Sequence, residues 1–390
     1  MRVIDLAKIQ VASSEVVRDI NRRIVLNLIR SRQPVSRADL ARLSGLQRST
    51  VSLITEDLIA RRWVTEGATG RLPRGRRPTF LRLNDERAII GIDIRPEHTT
   101  LALADVNAKF LSQEVMATPD SPKVVIKELT ARLTRLIQAC SGKMIEGIGI
   151  SLPGRFDVEK QRLVFAPNLK WPNFDIRTPI QRATGLDVEL ENAANACVLA
   201  EIWFGRMQGV RNLVVVTVSE GIGTGIFTNG QLVRGLNGMA GEFGHVPLDS
   251  SGPPCGCGSR GCWEVFASNR AALRYYMESA AQSGGPTFQE LLALAEKGDP
   301  LAAKALDKTA HYLGRGMRMI VAGLAPEVIV VVGELTRSWS RFGPIIEAEC
   351  AAQVLPGGIA PRLVPAHEDG TARVRGTVAL ILQRHFSAVQ

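Results

Sequence analysis

The 390-residue chain has no apolar run approaching the roughly 20 residues that a membrane-spanning helix needs. Runs such as Leu213–Val218 and Val328–Val332 are short enough to be buried strands. Asp5 and Lys8 stand where an export signal would need an apolar stretch, so a cytoplasmic protein with no membrane partner is expected. Low-complexity sequence is missing too, and residues 283–286 form the one glycine-rich loop away from the motifs below. Cysteine is scarce, six in all at 140, 197, 255, 257, 262 and 350. Three of them fall within eight residues, which in a cytosolic chain points to metal rather than to disulfides. What is present, 45% hydrophobic and 22% charged residues, is an ordinary globular composition, and the length predicts two or three domains.

The net charge of +10 is informative once it is located. Residues 1–84 hold 17 Lys and Arg against 7 Asp and Glu; the remainder holds 31 of each. All of the excess sits in the first fifth of the chain, as in a module that binds a polyanion. Val17, Ile20, Ile24, Val25, Leu28 and Ile29 follow helical spacing, Pro34 interrupts, and Ser36 is placed to cap a short helix carrying Leu40 and Leu43. Gly45 supplies a turn, with Ala41 and Gly45 small enough for two helices to approach. Residues 47–60 read as a third helix with Val51, Ile54 and Leu58 inward. This is a helix-turn-helix pattern, and its outward Gln47, Arg48, Ser49 and Ser52 are candidates to reach bases and phosphates. Trp63 to Thr65, a basic turn with Arg74, Arg76 and Arg77, and Thr79–Leu83 then lay out a wing. Its Arg-Gly-Arg-Arg-Pro run suits a narrow A/T-rich minor groove.

Downstream, strand patterns at residues 89–94, 99–104 and 110–115 precede a helical stretch to Ile137 and a strand at 145–151. Similar strands recur at 213–227 and 328–332, so an α/β architecture in two lobes is expected.

Gly241-Glu242-Phe243-Gly244-His245 followed by Cys255-Gly256-Cys257-Gly258-Ser259-Arg260-Gly261-Cys262-Trp263-Glu264 resembles the signature of the ROK family of repressors and sugar kinases. Pro153-Gly154, Asn168, Glu191-Asn192 and residues 221–225 look like further family positions. The likeness runs over nearly the whole chain and is nearest to the NagC/Mlc-type repressors. It implies a winged helix-turn-helix over residues 1–84, followed over residues 85–390 by a two-lobed actin-like α/β domain. His245, Cys255, Cys257 and Cys262 offer one imidazole and three thiolates, a closed set suited to structural zinc, with glycines at 256, 258 and 261 letting the chain fold back. By resemblance, Asn192, Glu242, His245 and Glu264 contact sugar hydroxyls, and the metal fixes the geometry of the two acids.

The kinases of this family resemble Asn-Asp-Ala-Asn where this chain has Asn192-Ala193-Ala194-Asn195, and alanine cannot serve as general base. Their Asp-x-Gly-Gly-Thr phosphate loop is replaced by Asp93-Ile94-Arg95-Pro96, and Glu334 adds a carboxylate after Gly333 near the nucleotide side. Only the 221–225 loop still resembles a phosphate binder, and a structural turn explains it equally well. The expected protein is a sugar- or sugar-phosphate-responsive DNA-binding regulator, a homodimer or higher homo-oligomer on an inverted repeat, with no catalytic residue. The alternative is an active sugar kinase with a DNA-binding module, which would need another base such as Glu191 or Asp93.

Overall fold

The computed structural model describes residues 14–69, 79–140, 142–157, 162–280, 285–352, 358–366 and 370–386. Helix α1 (Ser14–Arg32) buries Val25, Leu26 and Ile29, all in its second half. Val17 and Ile24 stay exposed because, at about 3.6 residues per turn, they fall on the face of the helix opposite the buried stripe of Val25, Leu26 and Ile29. A two-residue strand, β1 (Val35–Ser36), leads into α2 (Arg37–Ser44), and the Ser36 hydroxyl accepts the Asp39 amide at 3.2 Å as an N-cap. Gly45 ends α2 in the left-handed region with open space around it, so the turn requires glycine there and helix approach does not. Helix α3 (Arg48–Ala60) turns Val51, Ile54, Thr55 and Leu58 inward. Strand β2 (Val64–Thr69) pairs antiparallel with β3 (Thr79–Leu83), whose other edge takes β1. Helix, turn, helix and hairpin reproduce the winged helix-turn-helix layout. Arg74, Arg76 and Arg77 lie outside the described residues.

Two five-stranded sheets follow. The first is built from β4 (Arg87–Ile94), β5 (His98–Asp105), β6 (Phe110–Ala117), β7 (Met144–Leu152) and, past the small hairpin of β8 (Arg155–Asp157) and β9 (Arg162–Phe165), β10 (Val188–Asn192). Helices α4 (Pro122–Ala139) and α5 (Arg177–Thr184) lie between these strands in sequence, and α6 (Ala193–Trp203) leads to the second sheet. That sheet contains β11 (Leu213–Val218), β12 (Ile222–Thr228), β13 (Gln231–Val233), β14 (Val328–Val332) and β15 (Arg362–Pro365). Helices α7 (Glu264–Ala267), α8 (Asn269–Ala280), α9 (Phe288–Glu296) and α10 (Pro300–Leu324) precede β14. Helices α11 (Trp339–Ala351) and α12 (Ala372–Phe386) flank β15 in sequence.

The orders β10-β7-β4-β5-β6 and β15-β14-β11-β12-β13 are the same topology twice. In each, three strands form an antiparallel meander, and two more add parallel beside the first. Central strands β4 and β11 are buried almost throughout, as strands covered on both faces must be. The carboxyl ends of the parallel strands open on a cleft between the lobes, where open α/β sheets hold ligands. No helix among the described residues is long and apolar enough to cross a membrane.

Helices α6 and α12 pack tightly, since a Cβ at Gly376 would overlap the Ala196 carbonyl. Both start at the cleft, where Ala193 and Arg373 line it, and both end against α1. Asn27 Nδ2 donates to the Phe386 carbonyl at 2.7 Å, and Arg30 donates to the Trp203 carbonyl at 2.9 Å while lying 4.5 Å over its ring. One hydrophobic core therefore runs from α1 and α3 through Trp63 to Trp203 and Phe386 without a break at residue 84.

Candidate functional site

Between the 3₁₀ turn at Glu242–His245 and α7, a short loop folds back on itself through bridges Pro247–Cys262 and Pro254–Arg260. Gly261 makes this possible: it sits at φ 63°, and a Cβ there would overlap the Asp249 carbonyl. Gly258 also has positive φ, whereas Gly256 does not and has open space beside it, so two of the three expected glycines are required by the fold. The result brings His245, Cys255, Cys257 and Cys262 together, with ligand atoms all within 4.8 Å of one another. Cys257 Sγ lies 3.7 Å from Cys262 Sγ, and Cys255 Sγ lies 3.6 Å from His245 Nδ1. Zinc bonds of about 2.3 Å to sulfur and 2.0 Å to nitrogen set tetrahedral edges of about 3.5–3.8 Å, so the donor set fits such an ion. Burial pushes the Cys255 and Cys262 thiols up, a bias toward the neutral form that a bound cation would reverse.

His245 faces two ways. Its Nδ1 points to Cys255, and its Nε2 lies 3.8 Å from Glu242 Oε2. Glu264 opens α7, with Oε1 3.1 Å from Cys255 Sγ and Oε2 accepting the Ile222 amide at 3.4 Å. Both acids and His245 therefore line one cleft of about 380 Å³, together with Asn168, Asn192 and Ala193. Burial pushes the Glu242 carboxyl up, with His245 and Arg155 pulling the other way. Asn192 is largely committed to the fold: its carbonyl caps α6 through the Ala194 amide at 2.8 Å, and its amide donates to the Gly154 carbonyl at 2.9 Å.

The two substitute bases are occupied as well. Glu191 accepts from the Asn192 amide, from Asn195 and from Arg234, each at 2.9 Å. Asp93, 1% exposed, accepts from Ser151 and from Arg95 at 2.7 Å each. Arg95 thus closes on Asp93 as an ion pair; burial works against its charge, but Asp93 opposite holds it charged. Glu334 is bound by Gln289 at 2.8 Å and Asn269 at 3.3 Å. Of the glycine run, only Gly221 lies in the turn; Gly223 and Gly225 belong to β12 and pack against α6.

At the other end of the molecule, Gln47, Arg48 and Ser49 are exposed at the start of α3, and Ser52 is half-buried. Leu53, 66% exposed one residue further on, was absent from the sequence expectation. An apolar residue outside the inward spacing of Val51, Ile54 and Leu58 was the available signal. Phe165, Met239 and Arg373 in the cleft wall were also missed, since each is brought in from a distant element and none belongs to a local motif.

A family model described as "ROK family" matches residues 89–384. The xylose repressor of Bacillus spizizenii is 31% identical over 387 residues, which cover 97% of this chain and 99% of that protein. The crystal structure of a ROK family transcriptional regulator, a homolog of the E. coli MLC protein, superposes with a TM-score of 0.82 at 26% identity, covering 95% of this chain and 98% of the other. A ROK family glucokinase from Streptomyces griseus, in complex with glucose and AMPPNP, aligns with 75% of this chain and 98% of its own. Its TM-score is 0.69 at 27% identity.

Proposed function

The chain belongs to the ROK family, and from that premise we propose that it is a sugar-responsive transcriptional repressor whose kinase-like lobes sense and do not phosphorylate. One observation carries this: the cleft keeps Glu242, His245 and Glu264, which suit a polyol, while Ala193 stands where the kinases' base would be. Asp93 and Glu191, the acids that could stand in for that base, are held in ion pairs. Arg95 fills the place beside Asp93 that a phosphate loop would keep open.

Zinc held by His245, Cys255, Cys257 and Cys262 is architectural, because four protein ligands leave no open position. It fixes His245, and it fixes Cys262, two residues before Glu264 at the start of α7, so that Glu242, His245 Nε2 and Glu264 meet sugar hydroxyls, with Asn192 at the cleft floor. Gln47, Arg48, Ser49 and Ser52 meet the major groove, and the basic wing with Arg74, Arg76 and Arg77 meets the minor groove. Residues 1–84 form the DNA-binding module, residues 85–390 the sensing domain, and a dimer reads an inverted repeat.

Sugar closes the lobes and displaces the cleft ends of α6 and α12. Their other ends hold α1 through Arg30 and Asn27, so the motion reaches the DNA-binding helices along two packed rods. Xylose is the first effector to test, given the named relative. Purified protein should show sugar-dependent operator affinity and no sugar-dependent ATP turnover. Turnover of order 1–100 per second would instead identify a kinase.

A further inference from the structure

Arg373 lies in the first turn of α12, is 7% exposed, and lines the wall shared by the sugar pocket and the larger interlobe cleft of about 750 Å³. Among the described residues its one hydrogen-bond partner is Ser219 Oγ, at 3.5 Å. A guanidinium carries five donors, and a charge this buried is costly unless it is paired. Its neighbour Arg95 is neutralised by Asp93, and Glu334 across the cleft is taken by Gln289 and Asn269. Ala372 and Arg373 at the amino end of the 15-residue α12 line the same space, where first-turn amides and the helix dipole favour negative charge.

We propose that Arg373 and the amino end of α12 form an anion site that takes the phosphate of a phosphorylated metabolite entering the interlobe cleft. The helix supplies amides that point along its axis, and the guanidinium supplies a fork that a phosphate accepts bidentately. The site differs from the kinase phosphate loops, which in this chain are closed by the Arg95–Asp93 pair and by strand β12. It does not depend on the sugar reading, because the anion alone is a sufficient ligand. Since α12 ends on α1, filling this site also acts on the element that carries the DNA-binding helices.

Thermal unfolding and calorimetry of the full chain test this with inorganic phosphate, glucose 6-phosphate and ADP, each against potassium chloride at equal ionic strength. All three should raise the melting temperature beyond the chloride control. Glucose 6-phosphate exceeding both inorganic phosphate and ADP would mark a ligand spanning the two pockets; ADP exceeding both inorganic phosphate and glucose 6-phosphate would mark a nucleotide. Either result supports the site. Arg373→Gln should weaken phosphate binding roughly tenfold or more, and Arg373→Lys, which keeps the charge and loses the fork, should fall between. Zinc content and circular dichroism report that each variant is folded, and the lysine variant carries the test if the glutamine one is not. No anion-specific stabilisation, or equal stabilisation of wild type and the variants, overturns the proposal.

Discussion

Truncating Phe386 should disconnect sensing from DNA binding. The ring is 2% exposed and stands edge-on to Trp63 at 5.7 Å and to Trp203 at 5.5 Å, joining the end of α12 to both the DNA-binding module and α6. Removing a buried phenylalanine costs about 3–5 kcal/mol, of which each aromatic pair accounts for roughly 0.5–1.5 kcal/mol. A ligand-to-ligand coupling of typical size is about 1–3 kcal/mol. The loss at this junction thus exceeds the whole signal that would pass through it. Helices α1 to α3 keep their own contacts among Val25, Ile29, Leu40, Val51 and Leu58, so the module should still bind DNA. Phe386→Ala is therefore expected to lower the melting temperature, retain sugar binding and operator binding, and lose the effect of one on the other. Phe386→Leu should keep part of it. Calorimetric unfolding together with operator anisotropy, with and without sugar, measures all three. A variant that is destabilised as expected yet keeps the wild-type sugar response would show that α12 is not the route.

The wild type should purify with one zinc and Cys257→Ser without it, and the variant should bind sugar at least tenfold more weakly, since Glu242 and Glu264 lose their support; full metal content of the variant by atomic absorption would refute the ligand set. Leu53→Ser should relax preference at one thymine in a selected operator while Arg48→Ala lowers overall specificity, because a methyl is read by apolar contact; unchanged selection profiles would remove Leu53 from the interface. His385, 4.5 Å from the Trp63 ring and 3.4 Å from Glu146, is pushed down to about 4 by burial and then by Arg87, Arg384 and Arg23. The unfolded chain takes up that proton first, so its contribution is complete above about pH 6.5 and is lost as pH falls toward 4. His385→Phe should flatten that limb of melting temperature against pH, and identical limbs would contradict it.

What could be read from the sequence was local. The cap at Ser36, the inward residues of α3 and the strands of both lobes follow from spacings within a few residues, and the four residues of the His/Cys cluster lie within eighteen. What could not be read depends on distant segments meeting. Val17, Ile24 and Val25 all fit the apolar pattern of one helix, but only the packing of α12 and α3 decides which face of α1 is covered. Gly223 and Gly225 have the composition of a phosphate loop, and it takes the packing of α6 to make them strand residues. Glu191 looks like a spare base until Arg234 arrives from beyond β13 to pair with it. The position of Arg373 beside the cleft has no sequence signal, because an arginine among the apolar residues of α12 normally faces water.

The most direct test is reciprocal titration of the full-length protein with its operator and its sugar. If both ligands act on one equilibrium, sugar must change operator affinity by the same factor that operator changes sugar affinity, within a range of about 5- to 150-fold. Operator obtained by selection from random DNA, xylose first and other aldoses after it, and calorimetry in both orders supply the two factors. Equal factors, abolished together by Glu242→Ala or by deletion of residues 1–84, are the predicted result. Sugar that binds with the same affinity whether or not saturating operator is present would contradict the account.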